Sequence, residues 1–220
     1  MTTLYFIRHG KTEWNQEGRF QGANGDSPLL PESYDQIKLL AQHLEDISFT
    51  HAFASPIKRA YDTAEATIEA MNQDIPLTPL AGLKEFGMGV WEGMRFNDVK
   101  ASYPDMHDAY RHHPELFDAG QVDGSESFEA VQARFVADVD RAVAEYGGEG
   151  VNLMFFSHGM SLTAGMGALL GIPLADIRLR GGLGNTSTSI LTTDDGIHYQ
   201  EVIRNDTSYL EEAPDETNMV

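Results

Sequence analysis

Apolar residues recur along this chain with two periods, strand-like runs and helix-like stripes in turn, and that alternation predicts an α/β architecture. Leu4-Tyr5-Phe6-Ile7 is a short apolar run ending in a polar turn, as a buried strand would be. His51 to Ala54 is a weaker strand, followed by Ser55-Pro56, which reads as an N-cap and a first-turn proline. Ile57, Ala60, Tyr61, Ala64, Ile68 and Met71 then recur at helical spacing. Phe128, Val131, Phe135, Val139, Ala142 and Tyr146 mark a longer helix that Gly147-Gly148 stops. Val151 to Phe156 is the strongest buried strand, and Gly159 to Leu170 is apolar nearly all round, the pattern of a helix packed on every side. Ser187 to Leu191 and His198 to Ile203 flank Asp194-Asp195-Gly196, a hairpin turn that makes these strands antiparallel. Residues 94–124 are rich in His, Tyr, Met and Phe but weakly periodic, and are expected to be irregular. With no linker or repeat elsewhere, the chain reads as one domain over 1–220 with 94–124 as an inserted cap. The last ten residues are polar and acidic and are expected to fray.

Composition narrows the function. The 220 residues are 41% apolar, enough for a core, and carry 34 acidic against 15 basic side chains for a net charge of −19. No basic run exists to displace counterions from nucleic acid, and an anionic membrane would repel the chain. The absence of cysteine removes disulfides, a thiol nucleophile and a Cys-based zinc site. Met1-Thr2-Thr3 has neither the basic flank nor the length of a signal peptide, and Met154 to Ile172 is broken by Ser157, His158, Ser161 and glycines. The expectation is a soluble cytoplasmic protein.

Two His-Gly pairs stand at equivalent places. Ile7-Arg8-His9-Gly10 follows the first strand and Ser157-His158-Gly159 follows the strongest one. Ligands in open α/β sheets bind outside the carboxyl ends of strands. One histidine there is ordinarily a surface residue; two, each before a glycine that permits close backbone approach, mark a site. Arg59 also follows a strand and lies off the apolar stripe of its helix. With Arg8 and the amides of a helix N-terminus, it suits an anion, above all a phosphate.

The chain resembles the histidine phosphatase superfamily, the phosphoglycerate-mutase-like proteins. The likeness is carried by Arg8-His9-Gly10-Lys11-Thr12 with Asn15, Arg19-Phe20-Gln21-Gly22 and Ser27-Pro28-Leu29. It continues through Ser55-Pro56-Ile57-Lys58-Arg59-Ala60 with Thr63-Ala64, Leu83-Lys84-Glu85-Phe86-Gly87 and Trp91-Glu92-Gly93. It closes with Ser157-His158-Gly159, Asn185-Thr186-Ser187 and Asn205-Asp206. The resemblance implies a three-layer α/β/α sandwich, with a mostly parallel central sheet, an antiparallel edge and a small cap. It makes His9 the nucleophile that becomes phosphohistidine and Glu85 the proton donor and acceptor. Arg8, Arg59, His158 and Asn15 would hold the phosphoryl oxygens, with Gly159 beside them. Only neutral imidazole attacks phosphorus, and two guanidiniums disfavour its protonation. The apolar company of Phe86 and Trp91 is expected to favour the protonated form of Glu85. The partner is a small phosphomonoester, and no cofactor or metal is implied.

Several residues stay open. Gln21 and Gly22 either touch substrate or make a turn, and Asn185 either orients the pocket or starts a strand. Glu92 is a competing acid better suited to a turn, Arg19 reads as structural, and His107, His112 and His113 lack a fixed metal-ligand spacing. Two departures from the family pattern concern loop shape. Leu29-Leu30-Pro31-Glu32-Ser33 replaces Leu-Thr-x-x-Gly, and Gly124-Ser125-Glu126-Ser127 replaces or shifts Gly-Glu-Ser. Between Glu85 and Gly124 only Arg95, Lys100 and Arg111 are strongly basic, and the compact Gly-Met-Gly-Val-Trp-Glu-Gly loop resembles the phosphatase branch. The alternatives are a 2,3-bisphosphoglycerate-dependent mutase and a non-catalytic phosphoester-binding module.

Overall fold

A computed structural model describes residues 1–210; the expected fraying of the last ten falls outside them. Along the chain run β1 (Thr2–Arg8), α1 (Glu13–Glu17), α2 (Pro31–Leu44), β2 (His51–Ala54), α3 (Lys58–Met71) and β3 (Leu77–Pro79). They are followed by α4 (Phe96–Ser102), α5 (Pro104–His112), α6 (Phe128–Tyr146), β4 (Val151–Ser157), α7 (Gly159–Leu169), β5 (Thr188–Thr193) and β6 (Tyr199–Asp206). The sheet order is β3-β2-β4-β1-β5-β6. The first four strands in that order are mutually parallel, and β5 and β6 form the antiparallel edge. The fold is α/β, as expected.

Period-two alternation splits the strands between two cores. Leu4, Phe6, Phe53, Leu153 and Phe155 face α6 and α7 through Phe135, Val139, Leu162 and Met166. Tyr5, Ile7, Ala52, Ala54, Met154 and Phe156 face α2 and α3 through Leu40, Leu44, Ala64 and Met71. Such two-sided burial gives the continuous apolar runs of parallel strands. Gly165 lets α6 close on α7, since a Cβ there would lie 2.2 Å from the Phe135 ring.

Three expectations need correction. The helix after β2 begins at Lys58 with Ile57 as its N-cap; the Ser55 hydroxyl accepts from Ile57 N at 3.2 Å, ahead of the helix, and meets His158 Nε2 at 2.8 Å. Residues 94–124 are not irregular. They hold α4 and α5, and the weak periodicity reflects helices only seven and nine residues long. Val99, Tyr110 and Val122 from this region share a third core with Phe20, Phe86, Trp91, Phe128 and Met160. Finally, α1, α2 and β3 lie outside the expected set of elements. In α2, Ile37, Leu40, Ala41 and Leu44 do keep a helical stripe. Among the described residues, no helix is long and apolar enough to cross a membrane.

Candidate active site

Register alone brings the two histidines together. Arg8 on β1 pairs with Ser157 on the adjacent parallel β4, so the residues that follow, His9 and His158, leave the sheet side by side. Their ring centroids are 5.1 Å apart, and both residues are buried. His9 Nδ1 lies 2.7 Å from the Gly10 carbonyl, which can only accept, so Nδ1 carries the proton and Nε2 keeps its lone pair. Arg59 Nε donates to that Nε2 at 3.3 Å. Burial, then the charges of Arg59 and Arg8, hold the His9 pKa well below the ordinary histidine value. The ring is neutral and its lone pair faces the arginines.

Arg59 projects from the first turn of α3 with its side chain fully buried. It donates to the carbonyls of Gly25 (2.9 Å) and Gly22 (3.1 Å) and pairs with Asp26 at 3.1 Å. Gly22 thus shapes the loop that holds Arg59. A Cβ on it would sit 2.6 Å from the Glu92 carboxylate and 2.8 Å from the Phe86 carbonyl, so close packing demands glycine there. Glu92 itself accepts from the Asn24 backbone at 3.1 Å and ties that loop down. Arg8 donates to the Leu183 carbonyl. Burial lowers its pKa to about 10, with Glu85 opposing the shift and Arg59 adding to it, so it remains a cation at neutral pH.

Asn15 sits in a capping box with Thr12. Its Oδ1 accepts from the Thr12 backbone (3.1 Å) and hydroxyl (3.0 Å) and from Asn185 Nδ2 (3.3 Å), which leaves the amide nitrogen for a ligand. Asn185 also donates to the His9 carbonyl at 3.1 Å, so it orients the pocket. Gln21 reaches the cleft while bonded to Thr12 and Ser27. Arg19 lines the same cleft and holds the Gly93 carbonyl at 2.8 Å.

His158 is the N-cap of α7, with Gly159 as the first helical residue. Ser55 Oγ meets its Nε2 at 2.8 Å, and its buried Nδ1 has no hydrogen-bond partner among the described residues. Burial and then the Arg59 charge hold its pKa well below the usual range. The amides at the start of α7 serve another group than a phosphate. Met160 N (3.3 Å) and Ser161 N (2.9 Å) donate to the Glu85 carboxylate, as does Phe86 N at 2.7 Å.

The loop carrying Glu85 is fixed by residues whose role no motif announced. Arg134 on α6 donates to the carbonyls of Gly82 (2.7 Å), Lys84 (2.7 Å) and Glu85 (3.0 Å) while bidentate on Glu126. Asp138 accepts from Gly82 N at 2.6 Å, and Ser157 donates to the Leu83 carbonyl at 2.7 Å. Glu126 also receives Gly87 N at 2.7 Å and Ser127 caps α6, so Ser125 simply stands where the family pattern has glycine.

Arg8, His9, Asn15, Gln21 and Glu85 line one cleft with Phe20, Met88, Phe96 and Tyr110, four side chains that no sequence motif assigns to it. Its free volume is about 30 Å³, one water's share of the liquid. A larger groove of about 620 Å³ lies at the amino end of β1 among Asp140, Glu149, Asp194 and Asp195. His107 stands edge-on to Phe20 at 6.2 Å, and His112 and His113 are exposed.

Known proteins bear on this arrangement in two ways. The family model described as the histidine phosphatase superfamily (branch 1) matches residues 4–206. A protein of Enterobacter sp. (strain 638) named probable phosphoglycerate mutase is 33% identical over 203 residues, 91% of this chain and 86% of that one. Phosphoserine phosphatase 1 of Hydrogenobacter thermophilus is 30% identical, over 87% of this chain and 86% of its own. Among solved structures, Bacillus stearothermophilus YhfR superposes with a TM-score of 0.87 at 30% identity, covering 96% of this chain and all (100%) of that one. A mycobacterial glucosyl-3-phosphoglycerate phosphatase gives 0.81 at 28% identity, covering 93% and 99%.

Proposed function

Because the chain belongs to the histidine phosphatase superfamily, branch 1, we propose that it is a phosphomonoester hydrolase working through phosphohistidine on His9. The observation that carries this reading is the state of His9: neutral, proton fixed on Nδ1, lone pair on Nε2, and flanked by buried guanidinium groups.

His9 Nε2 attacks phosphorus and forms the N–P bond while the ester O–P bond breaks. Glu85, in its protonated form, delivers a proton to the departing alkoxide, which leaves as the alcohol. Arg8, Arg59, the Asn15 amide and His158 Nδ1 face the spread negative charge of the phosphoryl group. In the second step, ionised Glu85 takes a proton from water, the water oxygen bonds to phosphorus and the N–P bond breaks. Inorganic phosphate leaves, and His9 regains its lone pair. Arginine supplies the charge that a metal would otherwise provide, so turnover persists in EDTA.

Hydrolysis is favoured over mutase chemistry because the segment from Glu85 to Gly124 offers few cations for a bisphosphate. The test follows inorganic phosphate and 2-phosphoglycerate together after adding 3-phosphoglycerate with a trace of 2,3-bisphosphoglycerate. Net phosphate release is expected; rapid isomerisation with little release overturns the reading in favour of a mutase. Binding of phosphoesters without turnover of any aryl phosphate would favour the non-catalytic module.

A further inference from the structure

Among the described residues, three other than glycine have a left-handed φ, and two of them lie on one path to the nucleophile. Asn72 closes α3, where such a cap is ordinary. Thr186 (φ 59°) and Asn205 (φ 52°) stand at no helix end. That conformation is least favourable for a β-branched residue, so the fully buried Thr186 keeps it only because its surroundings hold it there.

The turn at Thr186 is aimed at the active site. Its amide donates to the carbonyls of Arg8 (3.1 Å) and His9 (3.2 Å), and the adjacent Asn185 side chain also bonds the His9 carbonyl. On the far side, the Thr186 carbonyl accepts from the Tyr209 hydroxyl at 2.6 Å. That bond engages the one hydroxyl proton of Tyr209, so Thr188 Oγ1 donates to the phenol oxygen at 2.9 Å. The Tyr209 ring stacks on His43 of α2 with centroids 4.6 Å apart. Asn205 braces the same loop, its Oδ1 accepting from Gly184 N at 2.7 Å. Burial raises the Tyr209 pKa, so the phenol stays a donor at neutral pH.

We propose that Tyr209 and Asn205 are positioning residues for the nucleophile: by holding the strained loop 184–186 they fix the His9 carbonyl, and with it the direction in which the imidazole leaves β1. The proposal rests on the hydrolase reading for the role of His9. No motif of the sequence reaches Tyr209, and neither residue lines the catalytic cleft. In-line attack tolerates little displacement, since a misplacement of about 1 Å costs on the order of 10²-fold in rate.

Turnover of p-nitrophenyl phosphate, whose leaving group needs little help from Glu85, isolates the nucleophile. Tyr209→Phe keeps the ring on His43 and deletes only the hydroxyl. It is expected to lower kcat about ten- to a hundredfold and to leave KM within about twofold of wild type. An unchanged kcat, with or without a lower Tm, marks a hydroxyl that serves only the fold and overturns the proposal; so does a loss carried by KM. Thr186→Gly in the Tyr209→Phe background then tests the route, because glycine adopts a left-handed φ without strain. Recovery of most of kcat is expected, and no recovery overturns the link through Thr186. If Tyr209→Phe does not fold, Asn205→Gly decides: it permits the same φ and removes the bond to Gly184 N. A kcat loss at constant KM supports the proposal, and a wild-type kcat overturns it. Should the wild type turn over no phosphoester, the hydrolase reading fails, and NMR of labelled histidine decides the positioning alone. The His9 ring signals, assigned by their loss in His9→Ala, are expected to shift in Tyr209→Phe; unchanged signals overturn the proposal.

Discussion

The two ends of the cleft are built on opposite principles. At the phosphoryl end, side chains stand on strand ends and helix N-termini, and hydrogen bonds fix most polar atoms, with His158 Nδ1 an exception among the described residues. The His9 tautomer, the Arg59 fork and the Glu85 carboxylate all have backbone partners. At the cap end, Phe20, Trp91, Tyr110, Phe117 and Phe128 form a web of mostly edge-to-face rings. Several polar atoms there, Tyr110 Oη, Trp91 Nε1 and Arg111 Nη1, have no hydrogen-bond partner among the described residues. Chemistry needs fixed geometry, so one end is preorganised by hydrogen bonds. Aromatic packing fills space without dictating polar partners, so the other end leaves polar atoms unmatched.

The comparison breaks most visibly at the nucleophile. His9→Ala is expected to lower turnover by more than about 10⁴-fold and to abolish phosphoryl labelling by a radioactive ester. Persistent labelling would mean another nucleophile. Glu85→Gln is expected to cost about 10²–10⁴-fold with alkyl phosphates and much less with p-nitrophenyl phosphate, whose leaving group needs little protonation. Equal losses would take the acid role from Glu85.

A third effect appears in stability. His9 and His158 resist protonation when folded but take up protons near their ordinary pKa when unfolded. Below about pH 6.5 the unfolded chain therefore binds more protons, and each histidine removes about 1.4 kcal/mol of stability per pH unit until its own folded pKa is reached. Urea melts between pH 7 and 5 check this: His9→Ala should show a correspondingly shallower loss, and an unchanged slope would contradict it. The smallest contrast sets the two ends against each other directly. Ser55→Ala orphans His158 Nε2 and should cost about 1–3 kcal/mol, or roughly 2–12 °C in Tm at 2–4 °C per kcal/mol. Tyr110→Phe removes a hydroxyl that has no partner among the described residues and should leave Tm unchanged or slightly raised. A larger drop for Tyr110→Phe would erase the distinction drawn between the ends.

The phosphoryl end is largely legible in the amino-acid sequence. Arg8-His9-Gly10 and Ser157-His158-Gly159 each follow a dense apolar run, and a strand buried on both faces leaves little ambiguity about where it stops. The cap end is not. Helices as short as α4 and α5 carry too few turns for a stripe to emerge, and their buried faces mix aromatic and polar side chains. Ser55 is only half legible for a similar reason: its bond from Ile57 N is local, while its hydroxyl also answers to His158, which is 103 residues away.

Sequence alone determined the main strands and the two long helices that pack on them, the residues at the strand ends and the scarcity of positive charge, because these follow from local periodicity and counting. Tertiary structure decided which groups meet. The β1–β4 register set the two histidines side by side, and the loop around Gly22 and Gly25 closed on Arg59. Packing of the segment after α7 against the cap set Arg178 on the Arg111 carbonyl, 67 residues away in the chain. Contacts between residues far apart in the chain depend on how elements fit in space, and no local pattern encodes that fit.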